Sequence, residues 1–399
     1  MESTPVLGAL SAAPGSLAAA FAQVPDPRRA ASVVYPLPAI LALTVTAILA
    51  NHLSVLAIAE WGARQEPTTL AALGFAHGRT PRQSTLQRLF RQRDGDALAA
   101  RLRVCFAPSA APATTAPATQ GVAIDGKAQR GRLRFAAEHG PIVHALSAFC
   151  HERGVVLAHE PITAGAAKAE AELTVAPALL ARIDWPGRVL TGDALFCQRA
   201  LCQQVQDAGG DYVLLVKENQ GTPYRDIQLL FDPPATVPAA PLTDHRVART
   251  LESGHGRRME RRELIASTDL AGYLDWPGVA QVFRLERTWR EHRKPKRVCH
   301  YGITSLAPAV ADAPRLLALR RGHWSIENRL HRHKDVNFGE DASLIHVGQG
   351  PTVMALLRDA AVSVLHQAGV RRVAARLRTH SQKPEQAVAL VVGPLPPGA

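Results

Sequence analysis

Two short apolar runs in this chain each stop at an aspartate: GVAI before Asp125 and GRVLTG before Asp193. Runs of this length, rich in Val, Ile and Leu, predict strands buried on both faces of a sheet. An acid at the carboxyl end of such a strand projects into the crevice at the sheet edge, where ligands of α/β sheets commonly bind. The neighbouring stretches fit. HALSAFCHERG and VVLAHEPI predict a hairpin turning at Arg153-Gly154. AEAELTVAPALLARID predicts a helix, QRALCQQVQDAG a second one closed by Gly209, and DYVLLVKENQ another strand. Together they predict a mixed α/β sheet with helices on its faces.

The chain before this sheet reads as all-helical. Ser16 is placed to cap a first helix, and the apolar run 36–50 predicts a buried helix. That run is too short to span a bilayer, and Asn51-His52 interrupts it. In RTPRQSTLQRLFRQ, Thr80 reads as a cap, Pro81 as a first-turn proline and Gln83 as the capping-box partner. Leu86, Leu89 and Phe90 follow at helical spacing. This short basic helix suits a DNA groove, or packs as an ordinary surface helix. The domain reading is a helical domain at 1–106, an Ala/Pro/Thr linker at 107–120, and a catalytic domain at 121–370. The catalytic domain carries a β-rich insertion at about 220–300, and a tail at 371–399 is expected to fray.

Charge narrows the partner. Lys and Arg outnumber Asp and Glu by 46 to 34, a net +12. Between Arg246 and Arg297 the ratio is 13 to 7. Such a surplus favours nucleic acid through phosphate contacts. The five cysteines form no CxxC pair, which predicts reduced thiols in a cytoplasmic protein. Met1 is followed by Glu2 rather than a basic segment, so no signal peptide is expected.

A third acid, Glu327, lies in HWSIENRLHRHKD, within a segment that predicts one long helix. On it His323, Glu327, His331 and Lys334 fall at i, i+4, i+8 and i+11, one face. The carboxylate suits a metal and the cations suit phosphate. Two aspartates on neighbouring strands would repel each other without a cation between them, and oxygen donors alone suit Mg²⁺ or Mn²⁺. Three carboxylates holding two such ions can direct in-line attack on phosphorus by water or a 3′-hydroxyl. Lys127, Arg130, Lys217 and Arg257 are further candidate phosphate contacts. Glu340 and Asp341 are fallbacks for the third acid.

These residues resemble the IS4-type DDE transposases, most closely the H-repeat-associated (ISAs1) group. The resemblance is carried by VPDPRR, IAEWG, VAIDGKAQRG, LTGDALFCQ, DYVLLVKENQ, HGRRMERRE and GHWSIENRLHRHKDVNFGED, which span about residues 20–345. It implies an RNase H-like fold and a catalytic triad of Asp125, Asp193 and Glu327, separated by 68 and 134 positions. It also implies double-stranded DNA as partner, at the element's terminal repeats and at a target, with a homodimer on the DNA. The wider group carries a Tyr-Arg-Glu-Lys signature. Here Arg320 and His323 stand at its first two positions, and Glu327 and Lys334 at the others. Other readings of the same residues are a nuclease without strand joining, a DNA-binding regulator, and a metal-dependent phosphatase.

Overall fold

The computed structural model describes residues 13–92, 95–107, 119–128, 144–162, 168–236, 241–254, 258–291 and 294–395. The chain divides into two compact units. One comprises Met1–Pro112, Gly126–Ala166 and Ile326–Ala399, and the other Ala113–Asp125 with Ala167–Ser325.

The first unit begins with six helices: α1 Leu17–Ala22, α2 Leu37–Leu49, α3 Val55–Ala63, α4 Pro67–Ala72, α5 Gln83–Arg91 and α6 Gly95–Phe106. Ser16 caps α1 as expected, its Oγ accepting the Ala19 N–H at 3.0 Å. Helix α2 is the buried apolar helix, with almost every residue inside. Helix α5 starts later than the sequence predicts. Arg82 is its N-cap, with no side-chain cap bond, so Thr80 and Pro81 precede the helix. Its Leu86, Leu89 and Phe90 are buried, while Arg88 and Arg91 face out.

Strands β2 (His144–Cys150) and β3 (Val156–Ile162) form the predicted antiparallel hairpin. The turn needs a left-handed residue, and Gly154 supplies it at φ +67°. Beyond β3 in this unit lies a long helix at Gly350–Gln367, then helices Val373–Gln382 and Pro384–Val392. The expectation of a fraying tail is corrected here. Val373, Leu377, Ala387, Val388 and Val391 are buried at helical spacing, so this segment has its own apolar face to bury. His380 Nδ1 lies 3.2 Å from the Leu49 carbonyl at the end of α2.

The second unit is built on β1 (Gln120–Ala128), whose last residues pass into the first unit, with β4 (Arg188–Gly192) and β5 (Asp211–Val216). The β1–β4 and β4–β5 pairings are parallel. Helices α7 (Lys168–Leu180) and α8 (Arg199–Asp207) make the crossovers, and Gly209 closes α8 at φ +79°. The insertion opens with a helix the sequence reading did not anticipate, α9 at Gly221–Phe231. Four strands follow: β6 (Arg246–Gly254), β7 (Arg258–Ser267), β8 (Gln281–Glu291) and β9 (Lys294–Thr304). They are antiparallel, and β9 pairs with β5, so the insertion continues the sheet in the order β1-β4-β5-β9-β8-β7-β6. Helix α10 (Ala313–Gly322) covers it through Leu316, Leu317 and Leu319, which pack with Val213, Leu264 and Phe283.

All five cysteines are free thiols. Among the described residues no helix is long and apolar enough to cross a membrane.

Candidate active site

In the second unit the strands that precede the two aspartates pair in parallel. Ala123 of β1 pairs with Thr191 of β4, and Gln120 with Arg188, always 68 positions apart. Asp125 and Asp193 are also 68 apart, but the pairing stops at Ala123 and Thr191: Asp193 follows the end of β4, whereas Asp125 lies inside β1, which runs on to Ala128 and so is not ended by its acid as the sequence suggested. Asp125 is half-buried; Asp193 is exposed, and its Oδ1 accepts the Leu195 N–H at 2.9 Å in the turn after β4.

Asp193 lines an open groove of roughly 650 Å³ with Lys217, Asn219, Tyr224, His300 and Tyr301. Lys217 is therefore where the sequence expects it, exposed on the same crevice edge. His323 ends α10, with Nδ1 3.5 Å from Thr191 Oγ1 on β4. Arg320, three residues earlier, has a role that sequence reasoning missed. Its buried guanidinium donates to the carbonyls of Gly192 at 2.9 Å and Val213 at 3.3 Å, tying the end of β4 to the middle of β5. Burial lowers its pKa to about 10, opposed by the charge of Asp193.

In the first unit the predicted single helix is interrupted. After Gly322 the chain continues as π-helical turns at Ile326–His331 and His333–Asn337. The i→i+5 pattern breaks the expected single stripe, and such bulges are frequent at functional sites. Glu327 and His331 stay together: the His331 Nδ1–H donates to Glu327 Oε2 at 2.8 Å. The Glu327 side chain is 53% exposed, whereas His331 is buried. His331 thus orients the acid; it does not sit on the outer surface.

Lys334 also departs from the phosphate-contact expectation. It is buried, with Nζ 2.8 Å from Asp359 Oδ1 and 3.4 Å from Glu340 Oε1. Burial would depress its pKa, but Asp359 and Glu340 outweigh that and raise it. Burial pushes the Asp359 carboxyl the other way, yet Lys334 and His159 hold it well below the usual carboxylate range. Lys127 Nζ is likewise engaged, 2.5 Å from Asp335 Oδ1. Glu340 is buried within this cluster, so it does not present a free carboxylate as the fallback third acid would. Arg130 and Arg257 lie outside the described residues.

On the far side of the π-turns, the Arg329 Nη1 donates to the His151 carbonyl at 2.6 Å, and His366 Nε2–H donates to the Arg329 carbonyl at 3.0 Å. Burial, opposed by that bond, lowers the His366 pKa to about 4. The unfolded chain therefore binds the extra proton first as pH falls. His366 contributes stability that is complete above about 6.5 and lost between there and pH 4, on the order of 3 kcal/mol. We expect a His366→Gln variant to show a flatter acid limb in urea unfolding followed from pH 7 to 4. An unchanged limb would contradict the assignment.

The Transposase DDE domain family matches residues 117–364, and the DDE_Tnp_1-associated family matches residues 18–104. The chain belongs to the DDE transposases. This DDE transposase is 27% identical to protein YbfL of Escherichia coli over 362 residues, covering 88% of this chain and 91% of that one. It is 26% identical to the H repeat-associated candidate transposase YhhI of Escherichia coli, again over 88% of this chain and 91% of that one. An uncharacterised protein of Xanthobacter autotrophicus is 30% identical, covering 67% of this chain and 86% of its own. The match to a piggyBac transposase synaptic complex with hairpin DNA has a TM-score of 0.39 and 11% identity over 94% of this chain and 77% of that chain, too low to carry weight. The matched families and the H repeat-associated relatives place this DDE transposase in the H-repeat group, and its structure has a mixed sheet and an N-terminal helical region. All three acids fall inside the matched catalytic span.

Proposed function

We propose that this transposase cuts and joins DNA strands by phosphoryl transfer at Asp125, Asp193 and Glu327, with Mg²⁺ or Mn²⁺ as cofactor, two ions per site. The match of the Transposase DDE domain family across a span that contains all three acids is the observation that carries the reading. Carboxylates gathered at one site would repel unless a cation lay between them. The donor set fits a hard ion: carboxylate oxygens, without a cysteine among them. When bound, the ions would activate a water or 3′-hydroxyl and stabilise the leaving oxygen.

The chain's own groups prepare that chemistry. Arg320 ties the end of β4 to β5, and so holds the start of the turn bearing Asp193. His331 orients the Glu327 carboxylate. Lys217, on the groove that Asp193 lines, would hold a backbone phosphate, and Arg130 and Arg257 would be further phosphate contacts. Across the insertion many arginines are already paired: Arg262 with Glu252 and Glu260, Arg249 and Arg261 with Glu263, Arg297 with Glu286. Exposed pairs of this kind are weak and can exchange for phosphate. The helical domain at 1–106 would read the terminal repeats, with Arg88 and Arg91 of α5 facing outward, and a homodimer would pair two DNA ends.

Cleavage of a duplex carrying the element end should require Mg²⁺ or Mn²⁺. It should be inhibited by Ca²⁺, which is larger and looser in geometry and so binds without aligning the attack. Undiminished cleavage in excess chelator would end the metal reading.

A further inference from the structure

We propose that Lys127, Asp335, Glu340, Asp341, Lys334 and Asp359 form a charged clasp that positions the acids for metal. The inference rests on the metal reading above. Lys127 sits on β1, two residues after Asp125, and Asp335 sits on the second π-turn, eight residues after Glu327. Lys127 Nζ lies 2.5 Å from Asp335 Oδ1, 3.7 Å from Asp341 Oδ1 and 4.0 Å from Glu340 Oε2. Glu340 passes the linkage on to Lys334 at 3.4 Å and to Arg358 at 3.8 Å, and Lys334 reaches Asp359 at 2.8 Å. His159 Nδ1 of β3 closes the series, 3.0 Å from Asp359 Oδ2.

Physical economy argues that this cluster specifies an arrangement more than it adds stability. Buried ion pairs gain little over apolar residues of the same volume, because desolvation offsets the attraction. Their distinctive effect is to allow one arrangement of the elements that carry them. Here those elements are the end of the first acid's strand and the irregular turns of the third acid. The π-turns lack the α-helical ladder that would fix Glu327 by itself. None of the six residues is a catalytic group; each acts through Asp125 or Glu327. The clasp also explains why Lys127 and Lys334, which resemble phosphate contacts in sequence, point at carboxylates in the structure.

The test uses the full chain, without DNA, and Mn²⁺ binding followed by electron paramagnetic resonance of the free ion. Asp335→Asn is the safer variant, since Asp335 is 35% exposed and nearly isosteric with Asn. Lys127→Met removes the other partner and Lys127→Arg restores its charge. Loss of a supporting partner typically weakens metal binding about 10–100-fold. We expect that loss for Asp335→Asn and Lys127→Met, no further loss in the double variant, and substantial recovery in Lys127→Arg. The slope of log DNA affinity against log salt should stay unchanged. A smaller salt slope in Lys127→Met with wild-type Mn²⁺ affinity would make Lys127 a phosphate contact and overturn the clasp. Wild-type Mn²⁺ affinity in a folded Asp335→Asn would overturn it as well. If the unaltered chain binds no Mn²⁺, or Asp125→Asn with Glu327→Gln binds it normally, the metal reading itself fails and takes the clasp with it.

Discussion

Asp125→Asn, Asp193→Asn and Glu327→Gln should each reduce strand cleavage and joining by about 10³-fold or more, because each removes a carboxylate that a developing charge at phosphorus depends on. Neutral isosteres keep the volume and the local hydrogen bonds, including the one from the Leu195 N–H to position 193. Unfolding midpoints should therefore barely move. DNA affinity should hold within a few-fold, since it rests on Lys and Arg contacts with phosphate. The measurement is single-turnover cleavage of an end duplex beside a filter-binding titration. A variant that keeps more than a few per cent of the rate excludes its residue from the site.

Asp359→Ala should be the most destabilising single substitution in the first unit. It removes the partner of Lys334 and leaves a buried ammonium whose remaining close carboxylate is Glu340. Breaking one side of a buried pair costs about 3–5 kcal/mol, most of it the stranded charge. Removing both charges, in Lys334→Met with Asp359→Leu, should recover much of that loss. Urea unfolding of the single and double variants decides the point. If the double variant is no more stable than Asp359→Ala, the stranded charge is not the source.

The central strands were legible in the sequence because their signals are local. The apolar runs before Asp125 and Asp193 form two adjacent parallel strands, paired over Gln120–Ala123 and Arg188–Thr191, although β1 runs on past Asp125 to Ala128. Gly154 and Gly209 marked a turn and a helix end that require positive φ. What the sequence did not show depends on distant partners. The helical count over His323, Glu327, His331 and Lys334 assumed one continuous α-helix. The π-turns instead send Lys334 inward to Asp359, 25 positions away. One signal was available: Arg358-Asp359 interrupts the apolar run VMALL–AAVSVL, and two adjacent charges inside a buried helix must find partners. Likewise the Pro- and Gly-rich composition of the tail suggested disorder. Five buried apolar residues at helical spacing outweighed it.

The central claim is that one set of three acids both cuts and joins. It is tested most directly by incubating the protein with a labelled, pre-cut element end bearing a 3′-hydroxyl and an unlabelled plasmid, in Mg²⁺, and resolving the products on a gel. The account predicts label covalently transferred to the plasmid by the unaltered chain, and none transferred by Glu327→Gln or in chelator. Efficient nicking of DNA without any joined product, or joining that survives loss of Glu327, would contradict it.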